Sequence, residues 1–333
     1  MKTEFYQHRD INWLLFNERV LLEAKDETTP LLERLKFLAI FSANLDEYFK
    51  VRISQLRQLK KVDKSLRKKL LLRPNKKLGY ILDTVDKQQQ HFGQILGDIL
   101  QSLERHNIFF PKPVGLTSEQ KAFLKTYFTE KLQGNLEVQK WAHTPQLKDG
   151  YLYLLVQSQK EVLGLVRIPT EKHGRFIRVP GPGATLVFLE DVIRANIDLL
   201  FPGKAVHGSY AVKLSRDAEL YLEDDYGNTA LVEHIYDSLG QREYGQPTRL
   251  LYDPEMPKET RMAVQNRLGV GEVDMFPGGR YHNLSDFFGL GNPTDDPKLV
   301  YPPKAPLPHP VLSKTKDFFA SISKKDQLVH FPY

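Results

Sequence analysis

The 333-residue chain contains no cysteine. That excludes disulfides, thiolate metal sites and cysteine nucleophiles, and it is compatible with a reducing cytosol. No apolar run approaches the ~20 residues that a membrane-spanning helix needs. The longest candidate, Leu31 to Phe41, is interrupted by Glu33, Arg34 and Lys36. The opening "MKTEFYQHRD" has no apolar core behind its first charges, so it does not read as a signal peptide. Familiar catalytic motifs are missing as well. There is no G-x-x-x-x-G-K-[ST] phosphate loop and no H-x-x-x-H or H-E-x-x-H pair. "YLEDDYGN" gathers Glu223, Asp224 and Asp225 without the alternating ligand spacing of a calcium loop, and reads as a solvated turn. The ten histidines are scattered, and His330 has no sequence neighbour that would activate it as a nucleophile.

What is present is a lopsided charge. The net charge is +6, and residues 1–105 hold all of it, with 20 Lys and Arg against 14 Asp and Glu. Arg57 to Lys77 alone carries ten cations against Asp63. A polyanion suits such a cluster, and a solvated helix face explains it equally well. The stretch contains no aromatic residue for stacking bases, which counts against nucleic acid.

The patterning predicts an α+β fold. Residues 1–106 read as a helical N-terminal domain, an antiparallel bundle of three helices. The first has apolar positions Trp13, Phe16, Val20 and Ala24. The second opens at Pro30 and carries the seam Leu31, Leu35, Leu38, Leu45, Phe49, Ile53 and Leu56. The third runs through Leu78, Ile81, Leu82, Val85, Phe92, Leu96, Ile99 and Leu103.

Residues 107–300 change character and predict a layered head domain with a mixed sheet. "TSEQKAFLKTYFTEKL" starts on a capping box, Thr117 and Gln120. "YLYLLVQ", "EVLGLVRIP", "RFIRVPG", "TLVFLE", "SYAVKLSR" and "TRLLYD" read as strands; "DVIRANIDLLF", "LVEHIYDSLGQR" and "PKETRMAVQNRL" read as helices. Residues 301–333 begin with five prolines between Tyr301 and Pro310, a stiff connector. The 23 residues after Pro310 are too few for a domain, so the chain is expected to continue in a longer protein.

Three polar features are candidates for function. "VPGPGA" (Gly181, Gly183) and "FPGGRYHN" (Gly278, Gly279, Arg280) are glycine-rich; each reads as a turn, or as exposed amides beside an arginine that hold an anion. In "SRDAEL", Arg216 beside Asp217 and Glu219 reads as a local ion pair at a strand exit. "SANLDEYFKVR" interrupts the apolar second helix with Asn44, Asp46 and Glu47. In one reading the helix breaks at Ser42 and Asn44 caps a new one, with Glu47 completing the box. In the other, the Asn44 amide offers a donor and an acceptor to a purine edge. The residues alone leave both readings open.

"INWLLFNERVLLEAKDETTPLLERLKFLAIFSANLDEYFKVRI" resembles the opening of the long-chain polyphosphate kinase family. The matching positions are Trp13-Leu14, Phe16-Asn17, Arg19-Val20-Leu21, Pro30-Leu31, Glu33-Arg34, Phe37-Leu38 and Asn44-Leu45-Asp46-Glu47-Tyr48. Asp10-Ile11-Asn12 replaces the usual Glu-Leu-Ser, and Tyr48 the usual Phe. "RFIRVPG", "LEDVI", "LFPG", "SRDAEL", "GGRYHN", "YPPKAPLPHP" and "DQLVHFPY" follow the family's middle domain in order.

The resemblance implies a helical domain followed by a head that makes homo-oligomer contacts. It implies reversible transfer of the γ-phosphate of ATP to polyphosphate, with Mg2+ and a phosphohistidine. It implies that Asn44 contacts ATP, that the cell compartment is the cytoplasm, and that peripheral membrane association is open. The family's catalytic histidines and its Mg2+ ligands belong to domains beyond those matched here, so this chain alone is expected to be inactive as a kinase. The alternative is a stand-alone, non-catalytic homologue that binds polyphosphate or serves as a scaffold.

Overall fold

The computed structural model describes residues 8–56, 65, 74–143, 145–216, 247–305 and 307–329. Most of the Arg57–Lys77 cluster, the Glu223–Asp225 turn, the helix expected over 231–242, the acidic half of "SRDAEL" and His330 lie outside the described residues.

Three helices pack first: α1 (Arg9–Lys25), α2 (Leu31–Tyr48) and α3 (Pro74–Glu104). Contacts at their two ends set their directions. Arg34 Nε donates to Ala24 O (2.8 Å) where α1 ends, and Tyr48 OH donates to Asp10 O (3.4 Å) where it begins, so α1 and α2 run antiparallel. Gln88 Nε2 of α3 donates to Leu14 O at 2.9 Å. Every seam residue expected on the second helix is buried.

On α1 the buried face is Leu14, Asn17, Leu21 and Ala24, while Phe16 is 55% exposed. The expected seam is therefore off by about one residue along most of the helix. The reason is Asn17, a polar side chain in a core position that breaks the apolar period.

α2 does not break at Ser42. It continues to Tyr48, passes into a π-helical turn at Phe49–Ile53, and is helical again at residues 54–56. Asn44 is thus mid-helix and caps nothing. Its backbone groups need no cap, and its amide turns sideways to a neighbouring helix instead. A π-turn inside an α-helix is often found at functional sites.

The head has two sheets. β1 (Ile108–Phe109), β6 (Ala184–Phe188) and β5 (Phe176–Arg178) form the smaller one. The larger has the order β2 (Val138–Lys140), β4 (Val162–Arg167), β3 (Leu152–Gln157), β7 (Gly208–Arg216), β8 (Pro247–Tyr252), β9 (Met275–Pro277). The β1–β6 and β8–β9 pairs are parallel and the others antiparallel, so the sheets are mixed and the fold is α+β as expected.

β3 shows why its sequence is a continuous apolar run. Leu152, Leu154 and Val156 enter the core that receives α4 (Ser118–Tyr127), whereas Tyr153 and Leu155 enter the core on the opposite face. The capping box of α4 is present: Gln120 N donates to Thr117 Oγ1 (3.2 Å) and Thr117 N to Gln120 Oε1 (3.0 Å). α5 (Leu189–Ala195) follows β6, and α6 (Lys258–Leu268) follows β8. The bundle core runs on into the head, joining Leu38 and Phe49 to Leu251, Phe276, Leu284 and Phe287.

Candidate functional site

The polar patch of α2 divides its side chains between two neighbours. Asn44, half-buried, faces α1, where its Nδ2 donates to Asn17 Oδ1 at 3.1 Å. Asn17 is fully buried and directs its own Nδ2 to Phe41 O (3.4 Å).

Asp46 faces the head. Its Oδ1 accepts from Arg249 Nη1 (3.1 Å) and its Oδ2 from Lys213 Nζ, which also donates to Asn283 Oδ1 (2.6 Å). Lys213 sits in mid-β7 and Arg249 in β8. The Arg249 guanidinium lies 4.3 Å from the Phe49 ring centroid, a cation–π contact with the π-helical turn. Burial alone would raise the Asp46 carboxyl, but Lys213 and Arg249 outweigh it and hold it below the ordinary carboxylate range. Burial pulls Arg249 down to about 10, since the one carboxylate it shares does not compensate its lost hydration. Lys50, from the π-turn, adds a second link to the head through Asp149 at 2.7 Å.

A second cluster lies within the head. Arg175 donates from Nε and Nη2 to Glu190, from Nη1 to Asp286 (2.6 Å) and from Nη2 to His282 O (2.9 Å). Burial works against its charge, but Glu190 and Asp286 overrule it and raise Arg175. Asn283, in a left-handed conformation at φ 57°, joins the two clusters, because its Nδ2 donates to Asp286 (3.0 Å) while its Oδ1 accepts from Lys213.

His282 is buried beside both clusters. Desolvation, with Arg175 and Lys213 nearby, drives it down to about 3. The ring is therefore neutral, and Nε2 carries the proton it donates to Ala211 O at 3.0 Å. Gly278 is required here, as a Cβ would lie 2.3 Å from the His282 ring. Asp191 completes the surroundings, accepting from Arg194 (3.0 Å), Arg280 (2.8 Å) and Tyr281 OH (2.6 Å).

Between the bundle and the head lies a cleft of about 480 Å3, bordered by α2, α3, Pro254 and residues 277–284. Asp46, Arg249, Arg280 and His282 line it, and Asn44 does not. Sequence reasoning singled out Asn44 and the Gly278–Arg280 loop but missed Asn17, Lys213 and Arg249. A signal existed for the last two: Lys213 stands between Val212 and Leu214, and Arg249 precedes Leu250 and Leu251, in segments that read as strands. Among the described residues, no three His, Cys, Asp or Glu side chains gather where they could hold a metal ion. No helix among the described residues is long and apolar enough to cross a membrane.

Comparison with known proteins agrees with this architecture. The polyphosphate kinase N-terminal domain matches residues 6–111, and the polyphosphate kinase middle domain matches residues 119–290. The chain belongs to the polyphosphate kinase family. The polyphosphate kinase of Yersinia pestis is 32% identical over 347 residues, covering 100% of this chain and 50% of the relative. That of Klebsiella pneumoniae is 31% identical over the same length, with the same coverage. The crystal structure of the Porphyromonas gingivalis polyphosphate kinase superposes with a TM-score of 0.78 at 31% identity, covering 99% of this chain and 48% of that one. The chain thus spans about half the length of the curated relatives it matches.

Proposed function

We propose that this chain is the N-terminal and head portion of a polyphosphate kinase. In this reading residues 1–106 form the helical domain and 107–300 the head, and 301–333 lead into a catalytic region that this chain does not carry. The whole enzyme passes the γ-phosphate of ATP reversibly to polyphosphate through a phosphohistidine, and Mg2+ neutralises charge on the phosphates. The observation that carries the reading is the order and extent of the family match, two adjacent domains and a structural likeness over nearly the full chain.

The role of this portion is positioning. Phosphoryl transfer depends on held geometry and placed charge more than on covalent chemistry by the protein. Asn44 supplies an amide to ATP or ADP. One Nδ2 hydrogen goes to Asn17, which fixes the side chain, and the carbonyl oxygen is offered to a purine amino group. The head contributes surface to a homo-oligomer. The setting is the cytoplasm, and the basic stretch from Arg57 to Lys77 brings the charge that suits polyphosphate.

The test is a synthesis assay on the purified 333-residue chain with ATP and Mg2+. The reading expects no polymer growth. ATP-dependent lengthening of polyphosphate by this chain alone would refute the assignment of the phosphorylated histidine to another region.

A further inference from the structure

Asn17 occupies a core position of α1 at 0% exposure. A buried amide destabilises a core unless its hydrogen bonds are made, and both ends of this one are engaged. Its Nδ2 donates to Phe41 O at 3.4 Å, and its Oδ1 accepts from Asn44 Nδ2 at 3.1 Å. Both partners belong to α2, three residues apart, and so share one face of that helix. Asn17 grips α2 at two points.

This chain of bonds runs in one direction. Phe41 O is a carbonyl and can only accept, so Asn17 must turn its NH2 toward it. That leaves the Asn17 oxygen facing Asn44, which must answer with an NH2 of its own. Turning Asn44 over would set two amide oxygens against each other. Turning both amides would set the Asn17 oxygen against Phe41 O. Asn17 has no exposed surface, so water cannot relieve either clash.

The outer end of the chain is Asn44, which is half-buried rather than enclosed. Among the described residues its Oδ1 receives no hydrogen bond. The order of acceptor and donor along this amide is thus set from inside the bundle. The base of ATP carries a 6-amino group, which donates. Hypoxanthine and guanine carry a 6-oxo group there, which accepts. An amide oxygen held in place fits the first and repels the second.

We propose that Asn17 is a positioning residue that makes Asn44 select a 6-aminopurine nucleotide over a 6-oxopurine one. This assignment rests on the reading that Asn44 meets ATP, and it adds the residue and the bond direction that choose the base.

Polyphosphate synthesis by the complete native enzyme tests it, with ATP, purine riboside triphosphate and inosine triphosphate as donors. The three share ribose and phosphates and differ around position 6 of the base. The native enzyme ranks them in that order by kcat/KM, with ATP about tenfold or more above inosine triphosphate. Asn17→Leu, close in volume and a good helix former, removes both bonds and lets the Asn44 amide turn. Its preference for ATP over inosine triphosphate falls about tenfold. Asn17→Asp restores the preference, because a carboxyl oxygen faces the Asn44 NH2 whether that group is charged or protonated. A residue that only stabilised the fold would lower both rates together and leave their ratio unchanged.

Inosine triphosphate used as well as ATP by the native enzyme overturns the proposal, and that measurement needs no variant to fold. An unchanged ratio in Asn17→Leu overturns it too. Asn44→Ala separates the role of Asn17 from the contact on which it rests. If Asn44→Ala weakens ATP use while Asn17→Leu keeps the native ratio, the contact stands and the role of Asn17 fails. If Asn44→Ala leaves ATP use unchanged, the contact fails and the role of Asn17 with it.

Discussion

Arg175 and Arg249 are both buried in the head, at 4% and 1% exposure, and differ in how many carboxylates each meets. Arg175 faces two, Glu190 and Asp286, and its charged form is favoured. Arg249 shares one, Asp46, with Lys213, and its charged form is disfavoured to about 10. The first cluster is closed within the head and works as a bolt. The second reaches across to α2 and ties the bundle to the head. The same residue type at similar depth thus serves two ends, and the number of anions supplied decides which.

The comparison can be broken by removing one member of each cluster. Arg175→Met leaves Glu190, itself 1% exposed, and Asp286 without their cation. Orphaning a buried ionic partner costs about 3–5 kcal/mol, and urea denaturation should report a loss of that size. A loss under about 1 kcal/mol would show that the cluster is no bolt.

Asp46→Asn should cost less, about 3 kcal/mol at the low end of the same range. Its carboxylate keeps 16% exposure, so water offsets part of the change. If Asp46→Asn proves costlier than Arg175→Met, the ranking by carboxylate number fails.

Acid titration separates contributions near the two clusters. His282 has a folded value of about 3 against 6.5 unfolded. The unfolded chain therefore binds the extra proton between those values, and stability is complete above pH 6.5 and lost as pH falls toward 3. The slope reaches at most about 1.4 kcal/mol per pH unit. Asp46 is depressed below 3.8, so its contribution is present above 3.8 and lost only as pH falls further through its folded value. Melting temperatures between pH 7 and 4 should fall in the native chain and fall less steeply in His282→Gln. Parallel curves would rule out the buried neutral imidazole as the cause.

Asn44→Ala should have the smallest effect on stability, about 1 kcal/mol for the lost bond to buried Asn17. If the amide also meets ATP, nucleotide use by the whole enzyme drops by more than that. A variant that melts earlier but keeps normal ATP kinetics would assign Asn44 to structure alone.

Much of this molecule was legible in the chain. The seam of α2 could be read because its apolar residues recur every three or four positions, and all of them are buried. β3 and β4 could be read from apolar runs, and α4 from its capping box. Three things were hidden, each for a physical reason. Asn17 was not on the expected α1 seam because a polar residue in a helical core is rare, yet it is buried and bonded to Asn44 and Phe41. The break expected at Ser42 rested on local polarity, whereas the polar side chains there find partners on α1, β7 and β8 that are distant in sequence. β1, only two residues long, and the three-residue β2 and β9 are too short to show a period. The candidate site divides in the same way. Asn44 and the Gly278–Arg280 loop stood out locally, but the triad of Asp46, Lys213 and Arg249 comes from three separate segments that only the fold brings together.

The most direct test of the account is the intact mass of the native gene product, taken from its own cells and assayed for ATP-dependent polyphosphate synthesis. A species about twice this length that synthesises polyphosphate is the predicted result, in line with relatives of which this chain spans half. A native product that ends at Tyr333 and binds polyphosphate without extending it would contradict the account.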